Sequence, residues 1–206
     1  VPRYGGTVGA GIRIEGGPGT DRNFYNLTKT GNKNVTITTN NIKIENNLTA
    51  WGVGKIQAQS NDIEIGGNLG LGNANNLVPG TGTVEFNGTS AQTIDSKANF
   101  YKLTISNSNV SLLRSANVSH ILRIRPGATL DINGKNLTAS TLANNGNLQL
   151  SGSETLSITT KDTDSGTITY DGTATGLNYG NTYYNLTLNT SGTMTLNNDL
   201  DVNGSL

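Results

Sequence analysis

The chain has 206 residues, no cysteine, and 14 acidic side chains against 14 Lys and Arg. Zero net charge gives no electrostatic case for nucleic acid or an anionic membrane surface, and the lack of thiols excludes a disulfide scaffold or a thiolate metal site. Only 33% of the residues are hydrophobic and 5% aromatic, while Gly contributes 27 and Asn and Thr are about as numerous. A core built from so few apolar residues has to be thin and linear.

In chain order, the first residue is Val1 rather than Met, with no signal peptide ahead of it, which reads as a processed or excised piece. No apolar run reaches transmembrane length, so membrane insertion is not expected. The periodic signal then begins. Val35-Thr36-Ile37 and Ile42-Lys43-Ile44 reappear 21 residues later as Ile56-Gln57-Ala58 and Ile63-Glu64-Ile65. Asn26-Leu27-Thr28, Asn47-Leu48-Thr49 and Asn68-Leu69-Gly70 keep that spacing, and so does Val84/Phe86 after Ile63/Ile65. Further along the period shortens: Leu103/Ile105 and Leu122/Ile124 are 19 apart, Leu130/Ile132 and Leu148/Leu150 are 18 apart.

Within each unit the apolar residues alternate, which predicts short strands with one face inward, and Asn and Gly between them suit tight corners. The reading is an all-β, right-handed parallel β-helix, a solenoid with coils of about 18–21 residues. A β-sandwich is the rival, but it leaves the 21-residue register unexplained. The predicted interior includes Val35, Ile37, Ile42, Ile44, Leu48, Ile56, Ile63, Ile65, Leu69, Val84 and Phe86.

A longer repeat overlies the coil. Gly6-Thr7-Val8, Gly82-Thr83-Val84 and Gly166-Thr167-Ile168 each open a unit. Phe24-Tyr25-Asn26-Leu27, Phe100-Tyr101-Lys102-Leu103 and Tyr183-Tyr184-Asn185-Leu186 follow. This divides one continuous solenoid into units of approximately 1–80, 81–164 and an incomplete 165–206. The segments ahead of each aromatic pair, Gly16 to Asn23, Thr89 to Asn99 and Thr173 to Thr182, differ in length and sequence. They are expected to form an irregular edge of the rod. Any ligand site is expected there, beside Phe24, Phe100 or Tyr183.

No catalytic, cofactor-binding or metal site is expected. The acids Glu15, Asp21, Glu45, Asp62, Glu64, Glu85 and Asp95 are scattered. Glu64 and Glu85 share an outward column with Lys43, which reads as a solvated charge ladder. Asp199-Leu200-Asp201-Val202-Asn203-Gly204 matches half of a calcium loop, but Leu200 and Val202 alternate as strand residues. Asp162-Thr163-Asp164-Ser165-Gly166 is a weaker match. His120, the sole histidine, reads as a half-exposed strand residue, and Trp51 as packing over a coil corner. About ten Asn-x-Ser/Thr sequons, among them Asn26, Asn34, Asn47, Asn87, Asn136, Asn185 and Asn203, barely exceed what this composition yields by chance.

The Gly-Thr-Val/Ile openings, the aromatic-Asn-Leu-Thr strands and the Asn/Gly/Thr-rich coils resemble the repeat regions of bacterial cell-surface and secreted exoproteins. Filamentous-haemagglutinin-like adhesins and autotransporter passengers are examples. The resemblance covers nearly the whole chain and implies an extracellular β-helical fibre, stalk or adhesin segment without transferring any residue's role. The expected partners are further coils or other copies of the chain, end to end, with surface glycans as a further class. A carbohydrate-binding or carbohydrate-cleaving β-helix is the alternative.

Overall fold

A computed structural model describes residues 12–14, 22–95, 99–173, 175–196 and 198–206. The first Gly-Thr-Val opening (Gly6 to Val8), Glu15, Asp21 and nearly all of the segment from Gly16 to Asn23 lie outside the described residues. The rest is all-β, with no helix among the described residues.

Each of the first four coils contributes three strands. The first coil holds β1 (Ile12–Ile14), β2 (Arg22–Phe24) and β3 (Leu27–Lys29), and the second β4 (Val35–Ile37), β5 (Ile42–Ile44) and β6 (Leu48–Ala50). The third holds β7 (Ile56–Gln57), β8 (Ile63–Ile65) and β9 (Leu69–Leu71), and the fourth β10 (Leu77–Val78), β11 (Thr83–Phe86) and β12 (Gln92–Asp95). Beyond that point two sides of the coil merge into one bent strand. The pairs are β13 (Asn99–Ile105) with β14 (Val110–Leu112), β15 (Ala116–Ile124) with β16 (Thr129–Asp131), and β17 (Leu137–Asn144) with β18 (Asn147–Leu150). After them come β19 (Leu156–Thr160), β20 (Thr167–Tyr170), β21 (Thr182–Tyr183), β22 (Asn185–Leu188) and β23 (Asp201–Val202).

Every strand pair is parallel, and successive coils stack as four sheets, the smallest being β21 with β23. A four-stranded sheet runs β1-β4-β7-β10, an eight-stranded sheet runs from β2 through β5, β8, β11, β13, β15 and β17 to β19, and a nine-stranded sheet runs from β3 to β22. The 21-residue period is visible in the pairing: Ile42 lies beside Ile63, Leu48 beside Leu69 and Val35 beside Ile56. The parallel β-solenoid, of about nine turns, is thus the architecture read from the period.

Alternation delivers the core. Val35 and the ten other residues expected inside are all buried, and the buried apolar side chains form one cluster that extends to Leu186. Corners are held by backbone geometry and side-chain amides. At Gly80 φ is +64°, and a Cβ there would come 1.4 Å from the Gln59 carbonyl oxygen of the coil below, so the coils stack this closely only over glycine.

Asparagine supplies the other device. The side-chain oxygens of Asn26, Asn47 and Asn68 accept the backbone N–H groups of Asn47, Asn68 and Thr93, one coil on, at 3.0, 2.8 and 2.8 Å. Asn34, Asn41, Asn136 and Asn185 do the same for Lys55, Asp62, Thr155 and Ser205. Corner amides that cannot bond within a strand are satisfied this way.

One expectation changes. The segment Thr89 to Asn99 is not irregular throughout, because it carries β12, paired on both sides. Its sequence alternates less clearly, since Gln92 points inward and is fully buried, donating to the Ile65 and Gly67 carbonyls at 2.9 and 2.5 Å. The long-repeat landmarks, in turn, fall on different sides of the rod. Val84 belongs to the eight-stranded sheet and Ile168 to the nine-stranded one; Leu103 pairs with Val84, whereas Leu27 and Leu186 pair with Leu48 and Ile168.

Candidate functional site

The outer face of the eight-stranded sheet carries the concave feature with the most chemistry, a groove of about 430 Å³ spanning the third to sixth coils. Strand alternation builds it. With Ile63/Ile65, Val84/Phe86, Leu103/Ile105 and Leu122/Ile124 inward, the residues between them face out as one column. Pairing orders that column as Lys43, Glu64, Glu85, Thr104, Arg123 and Ala143.

A β-bulge shapes one wall. Phe100 pairs with Val118 and Lys102 with Ile121, so Ser119 and His120 on β15 face Tyr101 alone on β13. The same residues are surplus against β17, where Val118 pairs with Ala139 and Ile121 with Thr141. The extra residue turns Ser119 and His120 outward together, as bulges beside sites do. His120 stacks on Tyr101, ring centroids 4.9 Å apart and planes 19° apart, and the Lys102 ammonium lies 5.6 Å from the Tyr101 centroid. On the floor, Thr104 points outward yet is only 6% exposed, and Ile121 is a half-buried apolar residue facing out.

Charge is distributed unevenly along the axis. The acids Asp62, Glu64 and Glu85 occupy the third and fourth coils, and Lys102, Arg123 and Arg125 the fifth and sixth. The acids are engaged. Asp62 accepts the Thr83 N–H at 2.7 Å and Glu64 the Asn87 amide at 3.0 Å. Glu85 accepts the Ser106 hydroxyl at 2.5 Å and lies 3.6 Å from Arg125. Lys102 and Arg123 have no hydrogen bond or carboxylate partner among the described residues, and their neighbours across the strands are Thr83, Ile121, Thr104 and Ala143.

The aromatic positions expected to flank a ligand are placed otherwise. Phe100 and Tyr183 point into the core with no exposure, and Phe24 is half-buried against it. In a period-two strand the neighbour of an inward ring faces out, so the accessible rings are Tyr25 and Tyr184, with Tyr101 in the groove wall. His120 is a strand residue, as expected, and fully on the outer face. Trp51 lies at a corner over the next coil, where a Cβ on Gly72 would come 2.7 Å from its ring.

Neither weak calcium match assembles a ligand set. Leu200 and Val202 pack against the core and Asp201–Val202 pairs with β21, while Asp162 caps its own turn through the Ser165 hydroxyl and N–H. No group of three or more His, Asp or Glu among the described residues is arranged to hold a metal ion. The sequons also find a structural origin. At Asn26, Asn47, Asn136 and Asn185 the corner asparagine is followed by an apolar inward residue and then an outward Thr, so the coil itself writes Asn-Leu-Thr.

No protein-family model, curated protein or solved structure matches this chain.

Proposed function

We propose that this chain is a segment of a structural rod displayed outside the cell. It would be a surface fibre, stalk or adhesin segment of the kind found in bacterial exoproteins, joined end to end to further coils or to other copies. The observation that carries the reading is the shared register. One apolar cluster and two long parallel sheets, of eight and nine strands, run along the axis, and each coil touches its neighbours alone, so the chain's sequence is spent on regular stacking. Such an object extends by about 4.8 Å per coil and suits spacing and display. Head-to-tail contacts between rods do not close on themselves, so they give fibres rather than dimers. Negative-stain electron microscopy and light scattering at high concentration test this: filaments or axial oligomers are expected, and a monodisperse monomer throughout would contradict end-to-end assembly.

A second reading, a carbohydrate-binding β-helix, is favoured by the groove on the eight-stranded sheet. It provides hydroxyls, carboxylates and cations along a track several coils long.

A further inference from the structure

The groove places two cations without a carboxylate partner beside a shallow floor of hydroxyl and aliphatic groups, and this charge pattern selects among ligands. Lys102 and Arg123 sit on adjacent strands, β13 and β15, and neither faces a carboxylate. Thr104, two residues along β13 from Lys102 and paired with Arg123, sits on the floor, and the outward Ile121, paired with Lys102, gives a small apolar surface. Arg125 is held by Glu85 and is not free in the same sense. Two to three coils away, Asp62 and Glu64 present carboxylate oxygens with acceptor capacity left after their single described bonds.

A ligand that fits both halves carries an oxyanion at one end and hydroxyl donors at the other. A purely anionic polymer would meet Asp62 and Glu64 over the acidic half, and a neutral one would leave both cations unused. We propose that the groove binds an oligosaccharide bearing a carboxylate or sulfate group. The oxyanion sits between Lys102 and Arg123, and sugar hydroxyls of the adjoining units donate to Glu64 and Asp62. Charge-assisted hydrogen bonds of this kind are stronger than neutral ones, and the guanidinium fork matches either oxyanion. This rests on the carbohydrate-binding reading and does not depend on end-to-end assembly.

The test is isothermal titration of the intact chain with three tetrasaccharides: maltotetraose oxidised to carry a single terminal uronate, maltotetraose carrying a single terminal sulfate, and neutral maltotetraose. The uronate against the sulfate ester separates carboxylate from sulfate. The expected result is binding of at least one charged tetrasaccharide. That binding should weaken about tenfold or more in K102Q/R123Q, while K43Q, in the same column but outside the groove, stays within about twofold of the parent. Unchanged melting curves verify that both variants are folded. Binding of maltotetraose as tight as that of the charged sugars would overturn the oxyanion assignment and leave the carbohydrate reading standing. No binding of any of the three would overturn both. An equal loss in K43Q would reduce the effect to general charge attraction and overturn the site.

Discussion

The Asn47 side-chain oxygen accepts the backbone N–H of Asn68, one coil on, at 2.8 Å, and Asn47's own N–H is held in the same way by Asn26 at 3.0 Å. A corner that would otherwise leave an amide to water is closed by a side chain. Replacing Asn47 with Ala removes one acceptor and is expected to cost about 1 kcal/mol, measured by urea unfolding. Asn47→Asp keeps an oxygen at that place and should lose less. Equal stability of Asn47→Ala and the parent would show that the ladder contributes nothing.

Ile63 is 1% exposed and stacks between Ile42 and Val84. Ile63→Asp would set a charge in a core one coil wide with no cation facing it, and several kcal/mol of destabilisation are expected. Circular dichroism melting checks this: a variant that melts like the parent would contradict the inward assignment of the whole column.

Glu154 is buried, 5% exposed, and both its carboxylate oxygens lack a hydrogen-bond partner among the described residues. The nearby Asp131 carboxyl is raised above the usual carboxylate range, first by burial and then by the charges of Asp171 and Glu154, against a lowering bond from the Asn133 N–H. A buried carboxyl group without a hydrogen-bond partner is unfavourable, so Glu154→Met, of similar length and apolar, is expected to stabilise the fold by about 1 kcal/mol or more. A lower unfolding midpoint for this variant would mean that the carboxylate has a stabilising role.

Three tyrosines fill the core near its last coils. The Tyr170 and Tyr183 hydroxyls lie 3.4 Å apart, Tyr170 accepts the Tyr179 N–H at 2.9 Å, and Tyr179 donates to the Asp162 carbonyl at 2.7 Å. Burial pushes all three phenols above their ordinary value of 10.0. Unfolded tyrosines ionise near pH 10, whereas these hold their protons while folded. Their contribution to stability is therefore full below about pH 10 and is lost as pH climbs from there towards the folded values. Titration at 295 nm should show exposed tyrosines ionising first and the buried three with the unfolding transition. Smooth ionisation of every tyrosine near pH 10, with structure retained, would contradict their burial.

Most of the fold was legible because period two and period 21 act on the same residues. Ile42, Ile44, Ile63 and Ile65 declare both which face is inward and which coil lies next. The groove was half legible. The 19-residue offset aligns Thr104 with Arg123, and alternation puts Arg123 and Arg125 outward, but nothing in the apolar pattern gathers them with Glu64 and Glu85 into one groove. The bulge at Ser119-His120 could not be read, because one surplus residue in a polar stretch leaves no mark on the apolar pattern. Phe100 and Tyr183 were misplaced for a related reason: an aromatic pair looks like a surface patch until alternation is applied, and then its first ring turns inward. Gln92, Asn107 and Glu154, polar yet buried, run against composition and answer to local hydrogen bonding or, for Glu154, to nothing in the described residues.

The central claim is that successive coils stack in one parallel register, and distances along a single column test it most directly. The chain has no cysteine of its own, so spin labels can be placed at will. Lys43 and Ala143 are five pairing steps apart in the eight-stranded sheet, as are Thr93 and Thr187 in the nine-stranded one. At the spacing of paired strands both label pairs should give electron–electron distances centred near 24 Å, with Lys43 to Arg123 one step shorter, at about 19 Å. Unequal distances for the two five-step pairs, or no shortening for the four-step pair, would contradict the solenoid.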